Sequence, residues 1–144
     1  MSDPRAPRIT LAEFEQLVHE QTPFNELYGF VTQAIGYGTA RVRMPANPKF
    51  LRPGGTISGP AQMALADFAM YAAVLGAVGN VPLAVTTNLS INFLNKPPPG
   101  DLVCEVRLLK VGKRLVMGDA IVHAAGQPDP VSHVTLTYSV PPER

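Results

Sequence analysis

The stretch 54-GGTISGPAQMALADFAMYAAVLG-76 decides the fold, because its almost continuous apolar character predicts one long buried helix. Ser58 is a favourable N-cap residue, so we expect the helix to begin at Ser58 or Gly59. Glycine often follows the last helical turn, and Gly76 or Gly79 marks the expected end. A helix that is apolar all round needs other apolar surface on every side.

One residue of this helix does not fit an apolar environment. Asp67 is its only carboxylate, and no other side chain between Arg52 and Lys96 is charged. Burying an ionised carboxylate is costly unless another group pairs with it or the protein uses it. Asp67 is therefore the first candidate for a functional residue.

The composition narrows the class of protein. The 144 residues predict a single domain over positions 1–144, and 46% apolar content with 16% charged residues is typical of a globular protein. The 12 Lys and Arg residues nearly balance the 11 Asp and Glu residues, so nothing favours nucleic-acid binding. The single cysteine, Cys104, lies in a strand-like run, where we expect it to be a buried apolar residue.

The location is predicted from two further features. The first residues, MSDPRAPRITLAEFEQ, have no apolar core of the signal-peptide type, and a lone cysteine fits a reducing compartment, so we expect a cytoplasmic protein. The run 57–78 is long enough to cross a membrane, but Gln62 and Asp67 weaken that interpretation. We therefore expect no membrane association.

The rest of the chain predicts one more helix and a sheet. Thr10 and Glu13 form the pattern of a capping box before a short helix that ends near Gln21. Residues 30–44 indicate two short strands or one bent strand, broken by glycines. Further alternating segments predict four strands, at about 88–93, 102–108, 115–124 and 134–140.

This order of elements predicts an α+β architecture. A helix that is apolar on all sides cannot rest on a sheet that covers only one of them, so the sheet must curve around it or another chain must complete the cover. A curved antiparallel sheet wrapped around a long central helix is the hotdog fold. An uncovered edge strand and helix face would remain, which predicts at least a dimer.

The segment 58-SGPAQMALAD-67 resembles the signature of the hotdog-fold acyl-CoA thioesterases of the PaaI type. In that family a Gly-rich loop, often His-Gly-Gly, opens the central helix and a carboxylate follows eight residues after the first Gly, as Asp67 follows Gly59. The later segment 86-TTNLSINFLNKP-97 is similar to a family strand of the Phe-Leu-Arg-Pro type. The resemblance covers roughly residues 27–140.

Three positions depart from the family pattern. Ser58 stands where His is usual, Pro60 replaces the second Gly, and Arg52 occupies a position that often carries Asn or Gln. The resemblance implies an acyl-CoA substrate, no metal or other cofactor, and a homodimer or a tetramer built from two dimers. It also implies that each active site takes its Gly from one chain and its acid from the other.

The chemistry of thioester hydrolysis gives roles to the same two residues. The backbone N–H of Gly59 at a helix N-terminus can polarise a carbonyl, and Asp67 can act as general base or nucleophile. Eight helical residues separate them by about 12 Å along the axis, which is too far for one carbonyl. Two chains must then contribute. The alternative is a structural Asp67 that accepts a hydrogen bond from a group such as Thr87 or Tyr71.

Other polar residues are weaker candidates. The resemblance suggests that Thr87 supports the acid or its water, although Thr in a strand is ordinary. Gln62 either contacts the acyl group or lies at the interface, and Arg52 either binds a carboxylate or phosphate or is solvated. The resemblance also suggests that three basic loop residues bind the phosphates of coenzyme A: Lys96, Lys113 and Arg114. Ser58 is a further candidate substrate-binding residue.

Two classes of function fit these observations. The first is an acyl-CoA thioesterase, with Asp67, Gly59 and Thr87 in catalysis. The second is a non-catalytic hotdog module that binds acyl-CoA or a lipid-like ligand. A hotdog dehydratase is a weaker third option, because it would ordinarily need a His beside the acid. The chain has three histidines, and their spacing predicts no metal site.

Overall fold

The computed structural model describes residues 5–142 and contains three α-helices and one short 3₁₀ turn. Helix α1 spans Leu11–Gln21, α2 spans Pro23–Glu26, and α3 spans Gly59–Val78, while the 3₁₀ turn covers Pro48–Phe50. Both longer helices were predicted. The short α2 was not, since proline was expected to close α1 rather than to open another helical turn.

The N-terminal helix begins with the predicted capping box. The Thr10 hydroxyl accepts from the Glu13 backbone N–H at 3.1 Å, and the Thr10 N–H donates to the Glu13 carboxylate at 2.9 Å. Phe14 and Leu17 are buried on the inner face of α1. The Phe14 ring packs 5.6 Å from that of Phe68, measured between centroids, so α1 closes over the central helix.

The central helix α3 has the predicted ends. The Ser58 hydroxyl accepts from the Ala61 N–H at 3.4 Å, and Gly79 follows the last turn with a φ of 96°. Fourteen of its twenty residues are buried. This burial fits the prediction that the helix is enclosed by the rest of the fold.

The sheet has six strands, all paired antiparallel in the order β1-β2-β4-β5-β6-β3. Their bounds are β1 Val31–Gly36, β2 Thr39–Met44, β3 Val85–Phe93, β4 Leu102–Val111, β5 Leu115–Ala124 and β6 Pro130–Ser139. The chain therefore has the α+β hotdog architecture predicted for it. Of the two alternatives for residues 30–44, two short strands is correct.

Strand lengths differ from the prediction where cross-strand pairing extends them. Strand β3 begins at Val85, three residues earlier than expected, because Val85 pairs with Ser139 on β6. Strand β4 continues to Val111, which pairs with Val116. These ends are set by partner strands rather than by local sequence.

Close packing between α3 and the first strand depends on a glycine. A Cβ atom on Gly76 would lie 2.3 Å from the Gly36 carbonyl oxygen and 2.9 Å from Cγ2 of Ile35. Since no side chain fits in that space, the helix can approach β1 only with glycine at this position.

One stripe of α3 is left uncovered. Pro60 and Met63 are exposed, and Ala64 and Asp67 are half-buried, at the i, i+3, i+4, i+7 spacing of one helix face. Within residues 5–142, α3 is also the helix that is long and apolar enough to cross a membrane, but 78% of its most apolar window is buried inside the fold.

Candidate active site

The surroundings of Asp67 are built by the register of two strands. Thr86 on β3 lies directly opposite Tyr138 on β6, so both side chains reach the inner face of the sheet together. Asp67 lies near the middle of α3, on the stripe that the sheet leaves uncovered. The carboxylate is therefore held between the central helix and the edge of the sheet.

Both hydroxyl groups bind the same oxygen of the carboxylate. The Thr86 hydroxyl donates to Oδ1 of Asp67. The Tyr138 hydroxyl lies 2.9 Å from the same Oδ1 and 2.9 Å from the main-chain carbonyl oxygen of Asp67. In the described part of the chain no group donates to Oδ2. One carboxylate oxygen is thus anchored, and the other is left without a donor from the described residues.

Tyr138 must keep its proton to donate a hydrogen bond to Asp67. Burial, followed by the negative charge of Asp67, raises the pKa of the Tyr138 phenol far above its usual value of 10.0. The phenol therefore remains a hydrogen-bond donor at any physiological pH. Burial also raises the pKa of Tyr71, whose hydroxyl donates to the Pro82 carbonyl oxygen at 2.9 Å.

Thr87 does not contact Asp67 within the chain. The β3–β6 register shifts between Thr86 and Asn88, and Thr87 is the extra residue of this bulge. Its side chain is exposed, and its hydroxyl donates to the Thr137 carbonyl oxygen at 3.2 Å. The partners of Asp67 are consequently Thr86 and Tyr138 rather than the predicted Thr87 or Tyr71.

The N-terminus of α3 presents one unused backbone donor. Pro60 has no N–H, Ala61 donates to the Ser58 hydroxyl, and Gln62 donates to the Ser58 carbonyl at 3.3 Å. The Gly59 N–H has no acceptor among residues 5–142. A Cβ at Gly59 would lie 3.0 Å from Cζ of Phe93, so this donor lies beside an aromatic ring.

The structure places Ser58 and Gln62 in different roles at this helix end. Ser58 caps the helix, because its hydroxyl accepts a hydrogen bond from the Ala61 N–H. Gln62 is only 2% exposed, and its Nε2 donates to the Ile57 carbonyl at 3.3 Å. Its Oε1 is buried without a partner in the described chain, which leaves one strong acceptor unsatisfied.

The four basic candidates are exposed and lie at two ends of the molecule. Arg52 donates to its neighbour Pro53, at 3.3 Å. Lys96 is near the start of α3, because the adjoining Pro97 carbonyl accepts from Ile57 at 3.1 Å. Lys113 and Arg114 form the β4–β5 turn, and the Arg114 carbonyl accepts from Val140 at 2.7 Å. This turn is at the same end of the sheet as Tyr138.

A cleft of about 220 Å³ opens beside Asp67. Thr86 and Tyr138 line it together with Asn25 and Phe68. The last two residues also line a neighbouring cleft of about 410 Å³ between α1, α2 and β1. The free carboxylate oxygen therefore lies next to a space that can take a small organic group.

The three histidines lie apart from Asp67. Each is within 3.4 Å of a carboxylate: His19 of Glu26, His123 of Glu105, and His133 of Asp119. Among residues 5–142, no group of three or more potential ligands could hold a metal ion. Each histidine thus lies beside a single carboxylate rather than in a group of ligands.

Thr86 and Tyr138 are the residues that sequence reasoning missed. A two-residue Thr pair cannot reveal which member the bulge turns inward, since the bulge depends on the partner strand. Tyr138 was expected only as part of the strand predicted at about 134–140. A buried tyrosine and a buried carboxylate each need a hydrogen-bond partner, and that shared need was the available signal.

Comparison with known proteins gives the family. The model of the thioesterase superfamily matches residues 54–131, a range that includes Gly59, Asp67 and Thr86. A protein of Saccharolobus solfataricus, assigned as an esterase by inference, is 31% identical over 113 residues, which cover 78% of this chain and 74% of the relative.

Solved structures agree with the fold. A Silicibacter protein described by inference as a thioesterase is 39% identical, with a TM-score of 0.85 and 94% of each chain covered. The PaaI protein of the E. coli phenylacetic acid degradation operon is 20% identical, with a TM-score of 0.79 and coverage of 88% of this chain and 90% of its own. At that identity the likeness concerns the fold alone. With its hotdog fold and a family match across more than half its length, the chain belongs to the thioesterase superfamily.

Proposed function

We propose that this protein is an acyl-CoA thioesterase that works as a homodimer, or as a tetramer of two dimers, in the cytoplasm and without a metal or other cofactor. Membership of the thioesterase superfamily supports thioester hydrolysis in general. We infer the acyl-CoA substrate from the resemblance to PaaI-type thioesterases, and the shared site from the spacing of Gly59 and Asp67 along α3.

The environment of the Asp67 carboxylate is the observation that carries this proposal. Two hydroxyl groups fix Oδ1, while Oδ2 has no donor in the described chain and lies at a cleft. Asp67 is half-buried and its Oδ2 is not enclosed by the fold, so this oxygen can bind water or a substrate group from the cleft. A free oxygen on an anchored carboxylate suits a general base or a nucleophile.

The uncovered stripe of α3 supports a site shared between two chains. Gly59 and Asp67 are about 12 Å apart along one helix, so one chain cannot apply both to one carbonyl. A two-fold axis near Met63, midway between them, would place two α3 helices antiparallel. Gly59 of each chain would then lie opposite Asp67 of the other, at both ends of the stripe.

The same arrangement explains the divided basic residues. Lys96 lies near the Gly59 end of the uncovered α3 stripe, while Lys113 and Arg114 lie near its Asp67 end. An antiparallel dimer brings Lys96 of one chain toward Lys113 and Arg114 of the other. Three cations near one site would suit the phosphate groups of coenzyme A.

The proposed reaction follows from these positions. Asp67 Oδ2 takes a proton from water, whose oxygen attacks the thioester carbon, and the Gly59 N–H of the partner subunit stabilises the negative carbonyl oxygen. The C–S bond then breaks, and the proton passes to sulfur. Direct attack by Oδ2 would instead give a mixed anhydride that water hydrolyses.

The first experiment measures free-thiol release from short, medium and aromatic acyl-CoA thioesters. We expect wild-type turnover, and a loss of at least about 100-fold in Asp67→Ala and Asp67→Asn, as for removal of an acid–base group. Circular dichroism and light scattering must show that both variants keep fold and oligomeric state. A single turnover in ¹⁸O-water distinguishes nucleophile from base, because only the nucleophile leaves label in the Asp67 carboxylate.

Two results would contradict the proposal. Absence of turnover with every thioester, or variants as active as wild type, would make Asp67 structural. If no thioester is hydrolysed, the protein is better described as a non-catalytic module. Its binding of a non-hydrolysable acyl-CoA thioether, measured by calorimetry, would be the corresponding assay.

A further inference from the structure

We infer that Tyr138 is a positioning residue for catalysis, which holds the Asp67 carboxylate with Oδ2 directed to the substrate; this inference rests on the proposed function. Tyr138 lies outside residues 54–131, the range matched by the family model.

The Tyr138 hydroxyl lies against Asp67 and Thr86. It is 2.9 Å from the Asp67 main-chain oxygen and 2.9 Å from Oδ1 of the same residue. A donor placed between these two oxygens fixes the side chain relative to its own helix backbone. Rotation of the carboxylate away from this orientation would break the bond to Oδ1.

The packing of the ring does not require the hydroxyl. Tyr138 is 3% exposed, and its ring centroid lies 6.2 Å from that of Tyr71. Phenylalanine would fill the same volume without leaving a buried polar group to satisfy. The reason for a tyrosine at this position is therefore the hydrogen bond that its hydroxyl donates to Asp67.

Two donors on one oxygen also determine which oxygen reacts. Thr86 donates to Oδ1 as Tyr138 does, and both residues are cross-strand partners on rigid strands. Groups supported by strands hold a reactive group more accurately than groups on loops. Tyr138 and Thr86 thus leave Oδ2 as the single unoccupied acceptor of Asp67.

The test is Tyr138→Phe, which removes one oxygen and keeps the ring. We expect kcat to fall roughly 10- to 100-fold, the scale for a misplaced reactive group, with KM changed less than about twofold. Tyr37→Phe, in the β1–β2 turn and outside the cleft beside Asp67, is the matched control, since it also removes one tyrosine hydroxyl, here bound to Arg5, and should keep kcat within about threefold.

A double-mutant cycle separates positioning from general damage. Tyr138→Phe should have no further effect on residual kcat when Asp67 is already asparagine, because no reactive carboxylate remains to be positioned. Equal losses in both backgrounds, or a matching loss in Tyr37→Phe, would overturn the inference.

A crystal structure of Tyr138→Phe gives a readout that does not need activity. The Asp67 side chain should rotate, or Oδ2 should gain a new donor. An unchanged carboxylate would refute a positioning role even if the wild-type protein hydrolysed no thioester. Failure of the proposed function, seen as absent wild-type turnover, is thereby distinguished from failure of this inference.

Discussion

At the scale of single residues, the orientation of the Asp67 carboxylate depends on which neighbouring hydroxyl donates a hydrogen bond to it. The bulge in β3 turns Thr86 inward and Thr87 outward, although the two residues are chemically identical and adjacent. The contribution of each hydroxyl therefore follows from backbone geometry alone.

This leads to a comparison of two identical substitutions. Thr86→Val removes a donor to Oδ1, and we expect it to lower kcat about tenfold more than Thr87→Val, which loses only an exposed bond to Thr137. Steady-state kinetics of both variants on one acyl-CoA thioester checks this. A larger loss for Thr87→Val would mean that the bulge places the other hydroxyl at the site.

At the scale of elements, the approach of α3 to β1 positions the central helix within the sheet. Gly76 permits contact with the Gly36 carbonyl, and the buried residues of α3 pack against the inner faces of the strands. Asp67 lies on the same rigid helix, so errors in this packing would be transmitted to the site.

Gly76→Ala tests the close contact between helix and strand. Alanine favours a helix over glycine by about 1 kcal/mol, but its Cβ would meet the Gly36 oxygen at 2.3 Å. We expect overpacking to dominate and lower the free energy of unfolding by roughly 1–3 kcal/mol, measured by urea denaturation. Ala12→Gly, at an exposed position of α1 away from the stripe, supplies the effect of helix propensity alone. A more stable Gly76→Ala would show that the contact can relax.

At the scale of the whole molecule, the proposed dimer is what unites the Gly59 donor and the Asp67 acid. Strand β3 is an edge of the sheet, and Val85 and Phe93 at its ends are at least half exposed. Such an edge, together with the uncovered face of α3, is a surface that a second chain would cover.

Subunit complementation tests the shared site directly. Gly59→Val places a side chain against Phe93 and at the free donor, so it and Asp67→Asn should each be inactive as homodimers. In a random mixture half the dimers are mixed, each with one intact site, so about a quarter of wild-type activity should return. Each variant alone is the control, and no recovery on co-expression would place both groups of one site in the same chain.

Much of this protein was predictable because local patterns agree with its global fold. The capping box at Thr10, the Ser58 cap and the all-round apolar helix up to Gly79 are decided within a few residues of sequence. The alternation of the strands fixed their inner faces in the same way. Asp67 became a candidate because a lone carboxylate on an apolar helix is energetically costly, and Gly59 because it begins that helix.

By itself, the sequence determined the elements, their order, the enclosing sheet and the position of the unusual acid. Only the tertiary structure decided that Thr86 and Tyr138 hold Asp67, and that Oδ2 is the oxygen left free. The physical reason is that strand register and bulges depend on pairing between segments distant in the chain. Asp67 and Tyr138 are 71 positions apart, so no local pattern signals their contact.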